Sequence, residues 1–467
     1  MAEQFDIIIV GAGQAGGPLA TALAGAGRNT ALIEREHAGG TCINEGCTPT
    51  KTMIASGHAA YIARRGSDYG VHTGAISVDM SKVRDRKREI VTSWRAGSEQ
   101  QLTGVAHLTY MRGEACFTGP HALTVALPDG TTREITAETV VLNVGARPAV
   151  PPIDGLNTVP FLNSTTVMEL EAVPDHLLVL GGGYIGVEFG QLFRRLGSRV
   201  TVIQHGAHLL PREDTDVSEA VEDLLREDGI ALLLQTKVIG VAPNATESAG
   251  GIMLTVETPD GTHTLSGSHL LVAVGRTPNA DSLNLAAAGV ATDKRGNVPV
   301  NERLETNVSG IYALGDMNGG PAFTHISYDD FRILRTNLIE GGHATTTGRL
   351  VPQTVFIDPQ LGRVGMSENA AKQAGQAYKI AKMPMRNVAR AAEVDETRGF
   401  MKALVDPASD QILGCAILGI EGGEMMSMIQ IAMMGNLPYT TLQNAIFAHP
   451  TLAESLNNLW GYLKDPQ

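Results

Sequence analysis

The sequence predicts an α/β fold with two Rossmann-like units and a smaller α+β domain. Three observations carry this. Residues 5–10 (FDIIIV) and 176–180 (HLLVL) are continuous apolar runs of the kind that form buried parallel strands. Each passes without a gap into a turn of G-x-G-x-x-G spacing and then a helical pattern. Residues 348–467 read instead as mixed strands and a helix, and 467 residues suffice for about three domains.

Composition narrows the class. A 43% hydrophobic content with 53 glycines suits a soluble globular protein with many tight turns, and a net charge of −13 argues against a nucleic-acid partner. No stretch approaches the ~20 apolar residues of a membrane span. Residues 1–4 lead directly into the first strand with no signal-peptide pattern, so the expected compartment is the cytoplasm, with no membrane partner.

In the first unit the turn is Gly11-Ala12-Gly13-Gln14-Ala15-Gly16, followed by a predicted helix over 18–25 and a strand over 29–33. Glu34 stands 18 residues past Gly16 (34 − 16), where a carboxylate can hydrogen-bond ribose hydroxyls while the helix N-terminus takes a pyrophosphate. Something with an ADP moiety is expected here.

Residues 39–51 (GGTCINEGCTPTK) come next and hold two of the four cysteines, Cys42 and Cys47. The pattern suits one helix, in which a turn plus a residue would bring the sulfurs together, and a helix N-terminus favours a thiolate. From spacing alone, a redox disulfide, a structural bridge and two inert thiols all remain open. In a reducing compartment such a pair is more often catalytic or metal-binding than structural. Further on, 81–90 (SKVRDRKREI) reads as a helix with a solvated, mixed-charge face. Residues 140–148 read as a strand ending in a turn at Gly145, and Pro148, Pro151 and Pro152 mark a crossover.

The second unit repeats the pattern with Gly181, Gly183 and Gly186, a helix through Glu188 to Leu196, and a strand over 199–203. The position 18 residues past Gly186 holds Gln204 rather than an acid. Without that carboxylate the usual discrimination against a 2′-phosphate is missing, and His205 and Arg212 offer positive charge, so NADPH is mildly preferred over NADH. Two dinucleotide units beside a cysteine pair suggest a relay between a bound flavin and a diffusing hydride donor.

The C-terminal part reads as strands over 352–365, 399–405 and 412–417 and a helix over 423–434. The methionines of that helix suit core or interface packing better than a metal site, and no metal ligands are assigned. Cys116 and Cys415 lack motif context and are expected to be buried structural thiols. Near the end, His449 precedes Pro450, and Glu454 follows five residues on, positioned to fix the imidazole's tautomer.

From residue 5 to about 456 the chain closely resembles the pyridine nucleotide-disulfide oxidoreductases, a family that includes dihydrolipoamide dehydrogenase, glutathione reductase and mercuric reductase. The motifs carrying the resemblance are 39–51, 271–279 (LVAVGRTPN) and 309–316 (SGIYALGD). It implies FAD-binding segments at 1–150 and 276–347, an NAD(P)H-binding domain at 151–275 and a dimerisation domain at 348–467. It implies flavin contacts from Gly11, Gly13, Gly16, Glu34, Arg35, Gly40, Thr41, Lys51, Gly145, Gly275, Arg276, Gly315 and Asp316. Gly181, Gly183, Tyr184, Gly186, Gln204 and His205 would serve NAD(P)H, with Tyr184 covering the nicotinamide pocket. Lys51 matches the lysine beside the flavin and Glu188 its ion-pair partner. By the same resemblance Cys47 faces the flavin and Cys42 exchanges with substrate. His449 with Glu454 is the base, reaching the disulfide of the other subunit in a homodimer.

The implied activity passes a hydride from NAD(P)H through FAD to the cysteine pair and on to a small disulfide or thiol-oxidant substrate. Alternatives are a dihydrolipoamide dehydrogenase, which Gln204 argues against, and a non-catalytic flavin redox sensor, in which the intact relay would lack a purpose. Another is a mercuric-reductase-like enzyme, although residues 462–467 carry no cysteine pair. Residues 140–148 and 357–360 resemble the mercuric-reductase-like branch, and 323–334 (FTHISYDDFRIL) the branch that includes bacterial hypothiocyanous acid reductases.

Overall fold

The computed structural model describes residues 2–244 and 251–466. Met1, part of the start considered above, and Gln467 lie outside the described residues. The chain divides into two compact units. One comprises Met1–Met53, Ser81–Ala149 and Gly275–Arg349, the other Ile54–Met80, Val150–Val274 and Leu350–Gln467.

The first unit is built on a sheet whose successive strands are Leu108–Arg112, Thr30–Glu34, Glu3–Val10, Thr132–Leu142, Ala122–Ala126 and Glu114–Gly119. Glu3–Val10 pairs in parallel with both neighbours, and Ile311–Ala313 adds in parallel beside Val140–Leu142. The apolar run that signalled the first strand is buried on both faces: Ile8 and Ile9 have no exposed surface. The helix Gly16–Gly25 packs over it, beginning two residues before the predicted 18–25.

Three expectations in this unit need correction. The mixed-charge helix runs over Met80–Leu102, well beyond 81–90, and its face is not wholly solvated: Lys87 is buried, one turn before buried Val91. A long methylene stem lets a lysine share an inward stripe with apolar neighbours. The strand expected over 140–148 is two strands, Thr132–Leu142 and Ala146–Pro148. Cys116 is half-buried on Glu114–Gly119 rather than fully enclosed.

In the second unit, Ala231–Leu233, Arg199–Ile203, His176–Leu180 and His269–Val272 form a parallel sheet carrying the helix Tyr184–Leu196. A meander of Lys237–Asn244, Gly251–Thr258 and Gly261–Gly267 adjoins it in sequence. The C-terminal sheet is antiparallel, in the order Gln353–Val355, Gln360–Gly365, Ile412–Gly419, Phe400–Val405, Lys379–Pro384 and Leu463–Lys464. Met425 and Met426 of the helix Gly422–Met434 are buried in its apolar cluster. Cys415 shares that cluster, and burial pushes its thiol up to about 12.

The single strand expected over 352–365 is a hairpin, because the backbone donors at its bend are taken by side chains. Phe356 N–H donates to Glu188 Oε1 at 2.8 Å and Asp358 N–H to Gln191 Oε1 at 2.7 Å. Asp358 at that bend then collects cations: His58 Nδ1 lies 2.6 Å from its carboxylate, and Arg195 pairs with it. Burial pushes the Asp358 pKa up, but the His58 hydrogen bond and the Arg195 charge outweigh it and hold the group at about 2.

A depressed carboxylate pKa contributes stability that is present above the ordinary value of about 3.9 and lost as pH falls toward the folded value. Asp358→Asn should therefore lower the thermal midpoint at pH 7, and the gap from the parent should narrow between about pH 4 and pH 2. Thermal unfolding at both ends of that range checks this; a constant gap would mean the carboxylate acts without its charge.

Candidate active site

The glycine turn of the first unit is closed by close backbone contacts. A Cβ on Gly16 would stand 2.0 Å from the Gly11 carbonyl oxygen, so helix and strand meet at a distance only glycine permits. Gly16 N–H donates to Asn143 Oδ1 at 2.9 Å, and Asn143 Nδ2 donates to the Leu314 carbonyl at 3.1 Å. Ala12 N–H donates to Glu34 Oε2 at 2.8 Å, so the acid at the strand end braces the turn it was expected to serve. Arg35 is exposed and pairs with Glu36 and Glu114.

The cysteine stretch docks on this turn. Gly39 N–H donates to the Ala12 carbonyl at 2.8 Å, and Gln14 Nε2 donates to the Gly39 carbonyl at 3.0 Å. Gly40 has φ +61°, and a Cβ there would lie 2.8 Å from Gly13 Cα. Asn44 ties its own helix down by donating to the carbonyls of Ala38 (3.0 Å) and Gly40 (2.9 Å), while Arg95 Nε holds its other end at 2.7 Å.

The single cysteine helix expected from the pattern is two helices, Gly40–Asn44 and Cys47–Arg64, broken at Glu45 and Gly46. Cys42 sits in the short one and Cys47 opens the long one, which also carries Lys51. Thr41 takes Glu45 N–H on its carbonyl at 2.9 Å, closing the short helix. The two sulfurs are in mutual contact, Cys42 half-buried and Cys47 exposed. The hydrogen bond to Cys47 raises the Cys42 pKa; burial and the charge of the second sulfur push the same way. Two adjoining thiols do not ionise independently. Thr324, first residue of the helix Thr324–Leu338, brings its hydroxyl to 3.2 Å from Cys47 Sγ and acts against the rise.

Three more predicted residues of this unit gather behind the turn. Gly315 N–H donates to Asp330 Oδ2 at 2.9 Å, and the fully buried Asp330 is paired with Arg349 Nη1 at 2.7 Å. Asp316 is held above the ordinary carboxylate range by burial, against the pull of Arg276, whose Nε is 3.6 Å away. Arg276 also donates from Nη2 to the Ala146 carbonyl, while its Nε is buried without a hydrogen-bond partner among the described residues. Gly145 and Gly275, flanking this segment, both have positive φ.

The second unit repeats the turn. A Cβ on Gly186 would stand 1.9 Å from the Gly181 carbonyl oxygen. Gln204 Oε1 accepts from Gly182 N–H at 3.0 Å, as Glu34 accepts from Ala12, and its Nε2 donates to the His208 carbonyl at 3.2 Å. His205 and Arg212 are exposed on the loop that follows. Gly183 leads into Tyr184, whose hydroxyl meets Glu213 and Gln353. Glu188 is buried on the same helix. Near the C-terminus, Glu454 holds His449 Nδ1 at 2.8 Å, which leaves Nε2 as the basic nitrogen of an exposed imidazole.

Residues 5–330 match the family model described as pyridine nucleotide-disulphide oxidoreductase, and 351–459 match that family's dimerisation domain. The chain belongs to the pyridine nucleotide-disulphide oxidoreductase family. Relatives of this oxidoreductase include the probable pyridine nucleotide-disulfide oxidoreductase RclA of Escherichia coli (strain K12), 37% identical over 99% of this chain and 100% of that one. Mercuric reductase of Streptomyces lividans is 33% identical, covering 97% and 94%, and mitochondrial dihydrolipoyl dehydrogenase of Pisum sativum 31%, covering 97% and 90%. Among solved structures, a Cu(II) complex of the HOCl-induced flavoprotein disulfide reductase RclA from Escherichia coli superposes with a TM-score of 0.89 at 36% identity, covering 99% of both chains.

The protein is thus an FAD- and NAD(P)H-dependent oxidoreductase acting on a sulfur group, and its dimerisation domain supports a homodimer. No described helix is long and apolar enough to cross a membrane. The residues present fit the cofactors. The buried Arg276 Nε makes no hydrogen bond among the described residues, the half-buried Asp316 carboxylate stands beside it, and each glycine turn keeps its backbone bare where a pyrophosphate would approach. Sequence reasoning missed Asn143, Asp330, Glu213 and Gln353, which act through turns they are distant from in the chain. Thr324 lay inside the 323–334 segment already singled out, but no pattern marked it as a sulfur contact.

Thr324→Val should move the pH midpoint of thiol alkylation in the reduced protein upward, because the hydroxyl favours the thiolate. Iodoacetamide rates measured across pH check this; an unmoved midpoint would reduce Thr324 to a packing contact.

Proposed function

We propose that this oxidoreductase reduces a small disulfide or a thiol-oxidant substrate at Cys42. The carrying observation is the Cys42–Cys47 thiol pair, docked by Gly39 and Gly40 on the first glycine turn. The relation to RclA, whose solved structure is titled an HOCl-induced flavoprotein disulfide reductase, supports an oxidant-derived substrate. When bound, FAD supplies the two-electron carrier between NAD(P)H and the cysteine pair. In its binding we assign Gly11, Gly13, Gly16, Glu34, Arg276 and Asp316 of residues 1–150 and 276–347, with Lys51 beside the ring.

In the chain's own chemistry, Cys42 gives up its proton to a base and attacks a substrate sulfur, forming a mixed disulfide and releasing one thiol. Cys47 then attacks Cys42, which forms the intramolecular disulfide and releases the second thiol. A thiol whose pKa is raised needs such a base, and His449, oriented by Glu454, supplies it. By family analogy the imidazole serving each pair comes from the second copy of a homodimer, with residues 348–467 forming the contact and the active sites shared. The cytoplasm is the setting that suits a thiol pair of this kind.

Residues 151–275 would bind the nicotinamide nucleotide, with Tyr184 covering the pocket. An uncharged Gln204 does not repel a 2′-phosphate, and exposed His205 and Arg212 offer positive charge. The KM for NADPH is therefore expected below that for NADH; a large preference for NADH would sink this assignment.

Cys42→Ser should abolish disulfide turnover while FAD stays bound. Turnover is to be measured with NADPH against disulfides, lipoamide among them, and against hypothiocyanite, Hg2+ and Cu2+, with flavin content read in parallel. Normal turnover in the variant would refute the role of Cys42, and a parent that reduces neither a disulfide nor hypothiocyanite would refute the substrate class.

A further inference from the structure

The ring of Tyr184 is fixed at both ends. Its backbone opens the helix Tyr184–Leu196, and its hydroxyl lies 3.1 Å from Glu213 Oε1 and 2.6 Å from Gln353 Oε1. Gln353 opens the strand Gln353–Val355, while Glu213 immediately precedes the helix cap Asp214. The two anchors thus come from segments far apart in the chain. Glu213 is buried, and Arg363 Nη1 stands 3.4 Å from the same oxygen, so the carboxylate cannot follow the phenol without leaving a guanidinium. One phenolic proton cannot serve two acceptors. The arrangement is completed by the Gln353 amide turning its nitrogen to the phenol oxygen, or by Glu213 holding a proton. Burial raises the Glu213 pKa against the pull of Arg363, in keeping with the second possibility.

We propose that Glu213 and Gln353 are positioning residues that latch the Tyr184 ring shut over the nicotinamide subsite, so that the nucleotide enters only as those two hydrogen bonds break. The proposal rests on Tyr184 being the nicotinamide cover. Its consequence is a nucleotide affinity held below what the open site would give. Losing one buried side-chain hydrogen bond corresponds to about 3- to 10-fold in an equilibrium constant.

The test titrates oxidised holoenzyme with NADP+ and with NAD+ by calorimetry, in the parent, Tyr184→Phe and Gln353→Ala. Both substitutions leave the Glu213–Arg363 pair in place. Expected is a Kd about 3- to 10-fold lower in each variant, with the KM for NADPH falling in step. A merely structural role would lower the thermal midpoint without tightening the nucleotide. An unchanged or weaker Kd in either variant overturns the latch. Tyr184→Ala, which removes the ring, then separates the layers of inference. If only this variant tightens binding, the ring covers the subsite without being latched; if it too leaves Kd unchanged, the covering role falls with the latch.

Discussion

The contact that the first unit's chemistry depends on is between two pieces of backbone. Gly39 donates to the Ala12 carbonyl, and Gly40 rests against Gly13 where no side chain would fit. A nucleotide turn and a cysteine pair are thereby held within one rigid neighbourhood, with Gln14 and Asn44 closing the gaps on either side. Preorganisation of this kind matters because a misplaced sulfur exchanges slowly whatever its acidity. The short helix that bears Cys42 breaks at Gly46 so that the longer one can start with Cys47, giving the second sulfur a helix N-terminus and a threonine hydroxyl.

Much of this was legible in the residues. The buried strands, both glycine turns and the acid or amide 18 residues on follow from period and spacing, and the turns sit where those patterns end. What escaped notice is of one physical kind. Asn143 satisfies Gly16 N–H from 127 positions away, and Asp330 supports Gly315 from the middle of the helix Thr324–Leu338. A lone Asn or Asp in a strand end or helix has no local signature, since its partner is chosen by topology. The hairpin at 356–359 was invisible for the same reason: its backbone donors are claimed by Glu188 and Gln191, which the local pattern does not contain.

The two units solve one problem with different chemistry. In both, a residue at the end of the second strand braces the second residue of the glycine turn through a side-chain oxygen, a carboxylate in Glu34 and an amide in Gln204. The brace survives the exchange because either oxygen accepts the same N–H. Only the charge carried at that position differs, and the fold around it is unaltered.

The strand Ile311–Ala313 completes the first sheet by pairing with Val140–Leu142. During synthesis those earlier residues emerge long before their partner. At ordinary elongation rates the ribosome works on the order of 10–30 s on the intervening segment. Throughout that interval a fully apolar strand edge stands open, the kind of surface on which nascent chains pair with one another. The order of segments along the gene therefore leaves the first unit's sheet incomplete until its last strand has left the exit tunnel.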